Sequence, residues 1–324
     1  MMPYVLIFAG CVAMITFVAA LIYRQLWIRF AGANITPKGF GVFLAPVLLA
    51  AAIVAHAPAG VVIALVILIA ASAVYWFDDL IGLSARLRMG VSFVTGAATG
   101  YLLLSGAIVT PVWMMVLFCA AAGVLHVVLT NIVNFYDGAD LNLATFIGLT
   151  AIVILMFTPA SDLIALCAIA CLAFIVPFGI FNSRPNTIYL GDAGSFAFAG
   201  FLTVIAVIYF RGRELAPQIA IPGALPALDT FFVLCIRIIE KHDLLTRHYL
   251  YLYQRFGEHY KGFSYLGPQV VNVLLCLAAA AALQMLGLTP FWAVAIAGVV
   301  VTIPFYFFCR MALLPRAQRS GRVA

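Results

Sequence analysis

Most of the carboxylates in this 324-residue chain fall in loops between runs of apolar residues or toward the ends of those runs: Asp78, Asp79, Asp137, Asp140, Asp192, Asp229, Glu240, Asp243 and Glu258. Carboxylates gathered together repel one another unless a cation lies among them. Hard oxygen donors of this kind suit magnesium, which grips phosphates. Asp78 and Asp79 are adjacent and are followed by Arg86 and Arg88, which can answer them or hold a phosphate. Asn131, Asn134, Asp137 and Asp140 recur every three residues, so each neighbours the next on a helix. A strict three-residue step drifts by about 60° per step. The four therefore share one stripe only if the helix tightens or breaks at Gly138. Amides and carboxylates together suit the water shell of magnesium and the hydroxyls of a nucleotide.

Asp192 lies in Gly191-Asp192-Ala193-Gly194-Ser195, at an expected helix start. Backbone N–H groups there attract anions, and a carboxylate can hold a magnesium that grips a diphosphate. Asp229, in Pro226-Ala227-Leu228-Asp229-Thr230, falls inside an apolar run. A charge at the centre of a membrane span costs about 2.5–3.5 kcal/mol, and such groups are functional by default. Arg237, eight residues on and near the same helix face, is its expected partner. The segment from Glu240 to Lys261 mixes Lys241, His242, Arg247, His248, Tyr251, Tyr253, Gln254, Arg255 and His259. That mixture suits a phosphate and a flat ring, or an amphipathic helix lying in the membrane interface. Taken singly, each cluster also reads as a solvated or capped helix end. His126, within an apolar run, reads as a packing residue.

The elements that position these residues are apolar. The chain is 66% hydrophobic and 9% charged, where a soluble domain carries about a quarter charged residues. So few charges cannot cover a water-facing surface, which leaves lipid as the solvent. Apolar runs fall near 4–23, 40–57, 60–77, 92–109, 112–134, 143–158, 162–181, 194–210, 216–237, 268–286 and 291–309. These predict an all-α polytopic membrane protein of about eleven spans, one domain over 1–324, with its longest inner loop at about 238–267. The first run is read as a retained span, because no Lys or Arg precedes it and it is too long for a cleaved signal.

With the N-terminus outside, fifteen Lys and Arg fall on the inner side and only Arg211 and Arg213 outside. This positive-inside bias sets the orientation and puts the C-terminus in the cytoplasm. Acidic residues contribute little to that rule, yet all but Asp162 and Glu214 fall inside as well. A shared cytoplasmic-face active site explains their one-sidedness. The net charge of +6 needs no nucleic acid; it faces anionic lipid and a phosphorylated substrate. The seven cysteines all lie in apolar runs and read as core thiols.

Taken in order, these motifs resemble the polyprenyl-phosphate N-acetylhexosamine-1-phosphate transferases. That family, of the glycosyltransferase family 4 type, includes the phospho-N-acetylmuramoyl-pentapeptide transferases of peptidoglycan synthesis. The resemblance runs from Thr36-Pro37-Lys38-Gly39 to about His259. It implies that Asp78, Asp79, Asp137 and His248 are catalytic and that Asp192 and Asp137 hold magnesium, with manganese as the alternative. It further implies that Lys38, Asn131, Asn134, Asp140, Asp229, Arg247 and Arg255 bind substrate. His248, Tyr253, Gln254 and Arg255 are similar to the motif His-x-x-His-x-Tyr-Gln-Arg, with Tyr251 in place of the second histidine. The loop lacks the histidine-rich stretch of the muramoyl-pentapeptide enzymes and is closer to the subgroup that starts O-antigen and related polysaccharides. Lys38-Gly39-Phe40-Gly41 replaces that family's usual run of glycines.

The implied reaction is magnesium-dependent transfer of an N-acetylhexosamine-1-phosphate from a UDP-sugar to polyprenyl phosphate, with release of UMP. The implied setting is a bacterial inner membrane, with membrane lipid as a further partner and room for a homodimer. The alternatives are the peptidoglycan transferase and, from another class, a secondary transporter. A transporter favours midplane carboxylates and repeated halves, whereas here the carboxylates sit at one face and no repeat is visible. Transferases acting on CDP-activated donors expect Asp-Gly-x-x-Ala-Arg, which Asp137-Gly138-Ala139-Asp140 does not continue.

Overall fold

A computed structural model describes residues 3–32, 35–105, 111–159, 161–184, 187–212, 215–242 and 250–313. Its regular structure is helical, with no strand among the described residues. Among the described residues each of the eleven apolar runs holds a helix; nine of these helices are long and apolar enough to cross a membrane, and Phe40–Val54 and Asn142–Phe157 are shorter. The chain is an all-α, multi-pass membrane protein. Its contacts separate into two compact units, Met1–Leu215 and Ala216–Ala324, and each is described by itself.

The first unit holds α1 (Pro3–Ala31), α2 (Leu44–Val54), α3 (Ala59–Ile81), α4 (Ala85–Leu104), α5 (Val112–Phe135), α6 (Asn142–Phe157), α7 (Leu163–Asn182) and α8 (Gly191–Phe210). Helix α8 is central: 78% of its apolar window is buried, against 22% for α1. It packs on α3, α4 and α5, while α7 packs on α1, α2 and α6. Small residues permit this. The backbone of Gly41 lies against Gly194, so that a Cβ on Gly41 would fall onto the Gly194 backbone. Helix α4 starts at Ala85 rather than near residue 92, because Ser84 accepts the Leu87 N–H at 3.3 Å and caps a polar first turn. Apolarity alone misses that turn, and the turn carries Arg86 and Arg88.

The second unit holds α9 (Ile221–Ile239), α10 (Leu252–His259), α11 (Gly267–Met285), α12 (Pro290–Ala297) and α13 (Ile303–Ala312). A π-helical segment, Gly298–Thr302, joins α12 and α13 into one apolar stretch, Pro290–Ala312. Pro304 accounts for the unwinding, since it lacks an N–H and its ring crowds the carbonyl four residues back. Leu225, Leu252, Tyr306, Cys309 and Leu313 form an apolar cluster that anchors α10.

All seven cysteines are free. His126 is buried between α5 and α8, with Nδ1 on the Thr203 hydroxyl at 2.8 Å and its ring edge-on to Phe196. It is a packing residue, as its apolar surroundings imply.

Candidate active site

Four helix ends meet in the first unit: the C-termini of α3 and α5 and the N-termini of α4 and α8. Asp78 and Asp79 close α3, Arg88 opens α4, Asn134 and Asp137 close α5, and Asp192 opens α8. Gly191 sits at φ 73°, and a Cβ there would fall onto the Asp79 carboxylate and the Gly39 N–H. Only glycine permits this approach. The segment before α2 is pinned beside it. The Phe40 and Gly41 N–H groups donate to the carbonyls of Tyr189 and Leu190 at 3.2 and 2.9 Å, and the Tyr189 N–H donates to Pro37 at 2.8 Å. The ring of Phe40 stacks on Phe174 and Phe178. Tyr23 donates to the Lys38 carbonyl and accepts from Trp76 Nε1 at 3.0 Å, so the backbone of Lys38 is clamped while its side chain is exposed.

The N–H groups that begin α8 do not face an open anion site, contrary to the expectation from sequence. Asp79 accepts from the Asp192 and Ala193 N–H groups at 3.1 and 3.3 Å. Asp137 accepts from the Gly191 N–H. Two of the chain's own carboxylates therefore cap α8, and they carry negative charge to its positive end.

Asp192 projects from that capped turn. Its Oδ1 accepts from Asn134 Nδ2 at 2.6 Å and its Oδ2 from Arg88 Nη1 at 2.8 Å. The same Arg88 nitrogen reaches Asp78 Oδ2 at 3.1 Å, and the two carboxyl groups lie within hydrogen-bonding reach of each other. Asp78 also accepts the Leu83 N–H, fixing the turn between α3 and α4. Arg88 is held from behind: Tyr75 donates to its carbonyl at 2.8 Å, shares a 2.6 Å bond with Ser92 and stacks on Phe196.

Helix α5 ends at Phe135, before Gly138, and the chain turns there. The Asp137 N–H closes onto the Asn134 carbonyl at 3.1 Å. The break aims Asp137 at Gly191 and Asp140 at Tyr189, so the three-residue pattern does not form one helical stripe. Asn131 donates to the Val127 carbonyl of its own helix at 2.8 Å and is not drawn to Asp192 by that amide. The turn is pinned by Asn182, whose Oδ1 accepts from the Leu141 N–H at 2.6 Å and whose Nδ2 donates to Ile188 at 2.8 Å. Asn142 donates to the Tyr136 carbonyl at 2.8 Å. This holds Leu141 at φ 60°, a conformation that branched residues adopt only under constraint.

Desolvation, then the charges of Asp192 and Asp79, raise the Asp137 carboxyl well above its ordinary value, and the Gly191 N–H partly counters them. Desolvation also raises Asp140, against the hydrogen bond from Tyr189.

Asp229 and Arg255 belong to the second unit. Asp229 is fully buried and accepts from Arg310 at 3.0 Å, Tyr306 at 3.0 Å and the Leu252 N–H at 2.8 Å. The nearby Arg237 was its expected partner; the observed ion pair comes instead from α13. Arg255 is exposed and 3.4 Å from Glu258. Arg247 and His248 lie outside the described residues.

Among the described residues no three acidic, histidine or cysteine side chains stand close enough to enclose a metal by themselves. Magnesium does not require such a cage. It keeps waters and is commonly held by one or two carboxylates together with substrate phosphates. Asp192 and Asp137, with Asn134 beside them, supply that donor chemistry, and the excess of carboxylates over guanidinium leaves charge for a cation to offset. The residues present fit the ion.

This carboxylate centre falls inside residues 59–210, which match the family model described as "Glycosyl transferase family 4". Over that stretch, somewhat under half of its length, the chain is similar to that family. Among curated proteins, the chain is 27% identical over 124 residues to the phospho-N-acetylmuramoyl-pentapeptide-transferase of Bacillus subtilis strain 168, an alignment covering 38% of this chain and 35% of that protein. It is 29% identical over 107 residues to the protein of that name in Bacillus licheniformis, covering 32% of each chain. It is 26% identical over 121 residues to the probable undecaprenyl-phosphate N-acetylglucosaminyl 1-phosphate transferase of Bacillus subtilis strain 168, covering 36% of this chain and 34% of that one. The chain thus spans about a third of the length of these relatives.

Several residues of this candidate site are not singled out by sequence alone. Arg88 was seen only as one of two arginines that could answer the aspartates, and Asn182 and Asn142 were not assigned a role. Their partners in the chain, such as Asp192 for Arg88, lie up to 104 residues away. The one local signal was an asparagine ending an apolar run, at Asn182.

Proposed function

We propose that this protein transfers an N-acetylhexosamine-1-phosphate from a UDP-sugar to polyprenyl phosphate, releasing UMP, and so starts a surface polysaccharide such as O-antigen. The observation that carries the reading is the gathering of Asp78, Asp79, Asp137 and Asp192 around the first turn of α8 with Arg88 bridging two of them. Phosphoryl transfer asks a protein chiefly for positioning and charge neutralisation. The match of residues 59–210 to the family model and the printed names of the relatives support the same reading.

An oxygen of the lipid phosphate attacks the sugar-side phosphorus of the diphosphate. The bond to the bridging oxygen breaks, and UMP leaves with the electron pair. A phosphate monoester has its second pKa near 6, so the nucleophile is largely ionised at neutral pH and a strong base is unnecessary. Asp78 and Asp79 then orient rather than deprotonate, and both are held by backbone N–H groups for that task. Asp192 and Asp137 would hold magnesium, which would supply charge neutralisation for a diphosphate and its leaving group. Arg88, placed between Asp78 and Asp192, has the charge and donors to take a phosphate oxygen. Asn134 fixes the Asp192 carboxylate, and Asp140 and Lys38 flank the centre for the nucleoside and the donor phosphates. The apolar spans take the prenyl tail.

Fifteen of seventeen basic residues on one side of the alternating spans support a cytoplasmic-face centre in a bacterial inner membrane, with the N-terminus outside. The lack of a histidine-rich stretch in the loop favours the surface-polysaccharide role over the peptidoglycan one. The test is purified protein with magnesium, undecaprenyl phosphate and a panel of UDP-sugars. UMP and a lipid-linked sugar phosphate are the expected products, and a panel that yields neither contradicts the reading.

A further inference from the structure

We infer that Asp229 is a positioning residue, part of a clasp through which the last helix holds the loop helix α10. Its two carboxylate oxygens have separate tasks. Oδ2 accepts the Leu252 N–H at 2.8 Å, at the first turn of α10. Oδ1 accepts from Tyr306 and Arg310 of α13, both at 3.0 Å. Arg310 Nε donates in turn to the Tyr306 hydroxyl at 2.9 Å, and its guanidinium lies over the rings of Phe232 and Tyr306 at 5.8 and 5.3 Å. The carboxylate therefore has no oxygen free of a donor, and it is fully buried. Such a group does not receive a substrate.

Helix α10 is eight residues long. A helix of that length does not hold itself in water; tertiary contacts must order it. Two are in place: Leu252 enters the apolar cluster with Leu225 and Tyr306, and Asp229 takes the first N–H. A buried ion pair adds little net stability over apolar packing, and its use is to fix register. Here it fixes which face of α10 turns outward. Leu252 and Tyr253 are buried, while Arg255, Glu258 and His259 are exposed. Arg255 is one of the cations that the family resemblance assigns to substrate, so the clasp sets the presentation of a phosphate-binding side chain. The kinetic part of this inference rests on the proposed transferase reading; the structural part does not.

The test uses the full chain in nanodiscs, comparing Asp229→Asn, Arg310→Gln and the double variant by hydrogen–deuterium exchange. Both single variants are expected to speed exchange of the Leu252–His259 amides about tenfold, and the double variant no further than the worse single, as for groups acting as one unit. Unchanged α10 exchange in the singles, or additive effects, overturns the clasp. Should a charge variant not fold, Tyr306→Phe removes one hydroxyl at nearly constant volume. A smaller acceleration confined to α10 is expected there, and none overturns the inference. In the UMP assay, Asp229→Asn is expected to raise KM for the UDP-sugar about tenfold with kcat within about threefold. A loss of kcat at unchanged KM would place Asp229 in the chemistry instead. A wild-type chain that releases no UMP refutes the transferase reading alone, and the exchange data still decide the clasp.

Discussion

The first and second units each set an aspartate against an arginine, and the two arrangements work to different ends. In the first unit four carboxylates gather, and the ion pairs that reach them come from Arg88. The side chains of Asp192 and Arg88 remain 28% and 36% exposed. In the second unit Asp229 is 0% exposed, and both of its oxygens are met by donors. Charge in excess and half open needs an ion or ligand to complete it; charge balanced and sealed is already complete. The same residue type thus stands half open at helix ends in the first unit and sealed in mid-helix, as a fastening, in the second.

The comparison breaks most sharply at Asp192. Asp192→Asn keeps the shape but removes the charge, and turnover is expected to fall at least about 10³-fold, whereas Asp229→Asn acts mainly through KM. Steady-state UMP release on monodisperse protein checks both. Arg88→Met follows, with an expected loss of about 10²-fold and partial recovery in Arg88→Lys, because a lysine restores charge but not the fork that spans Asp78 and Asp192. Gly191→Ala is expected to cost more than about 1 kcal/mol in a thermal or denaturant unfolding assay, since φ 73° is strained for alanine and the new Cβ meets the Asp79 carboxylate.

The smallest effect is a pH slope. Burial and the neighbouring charges of Asp192 and Asp79 hold the Asp137 proton in the folded chain well above its ordinary 3.8. The folded state then binds that proton more tightly than the unfolded state. Stability contributed at low pH is lost as pH climbs from 3.8 toward the folded value. In EDTA the unfolding midpoint should drop across that rise, and Asp137→Asn should flatten the drop.

The spans were legible because hydropathy is local: among the described residues each of the eleven apolar runs holds a helix, and the shortest run, 143–158, is one of the two short helices, Asn142–Phe157. Length alone misjudged two others, since 194–210 extends to the full span Gly191–Phe210 while 40–57 yields only Phe40–Val54. The meeting of Asp78, Asp79 and Asp192 was legible as one-sidedness, since alternation of spans puts the end of α3 and the start of α8 on one face. What the pattern could not carry was partner choice. Asp229 pairs with Arg310, 81 residues on, rather than being matched by an arginine picked from its own helix face. Helix α5 breaks at Tyr136 because Asn142 and Asn182 hold the turn from outside it, which a three-residue spacing does not encode. The capping of α8 by Asp79 likewise depends on a contact across 113 residues.

The most direct measurement is UMP release by Asp192→Asn beside the wild-type chain, with magnesium, undecaprenyl phosphate and a donor that the wild type turns over. Abolished turnover in a variant that still elutes and unfolds like wild type is the predicted result. Turnover at the wild-type rate would remove the carboxylate centre at α8 from the chemistry.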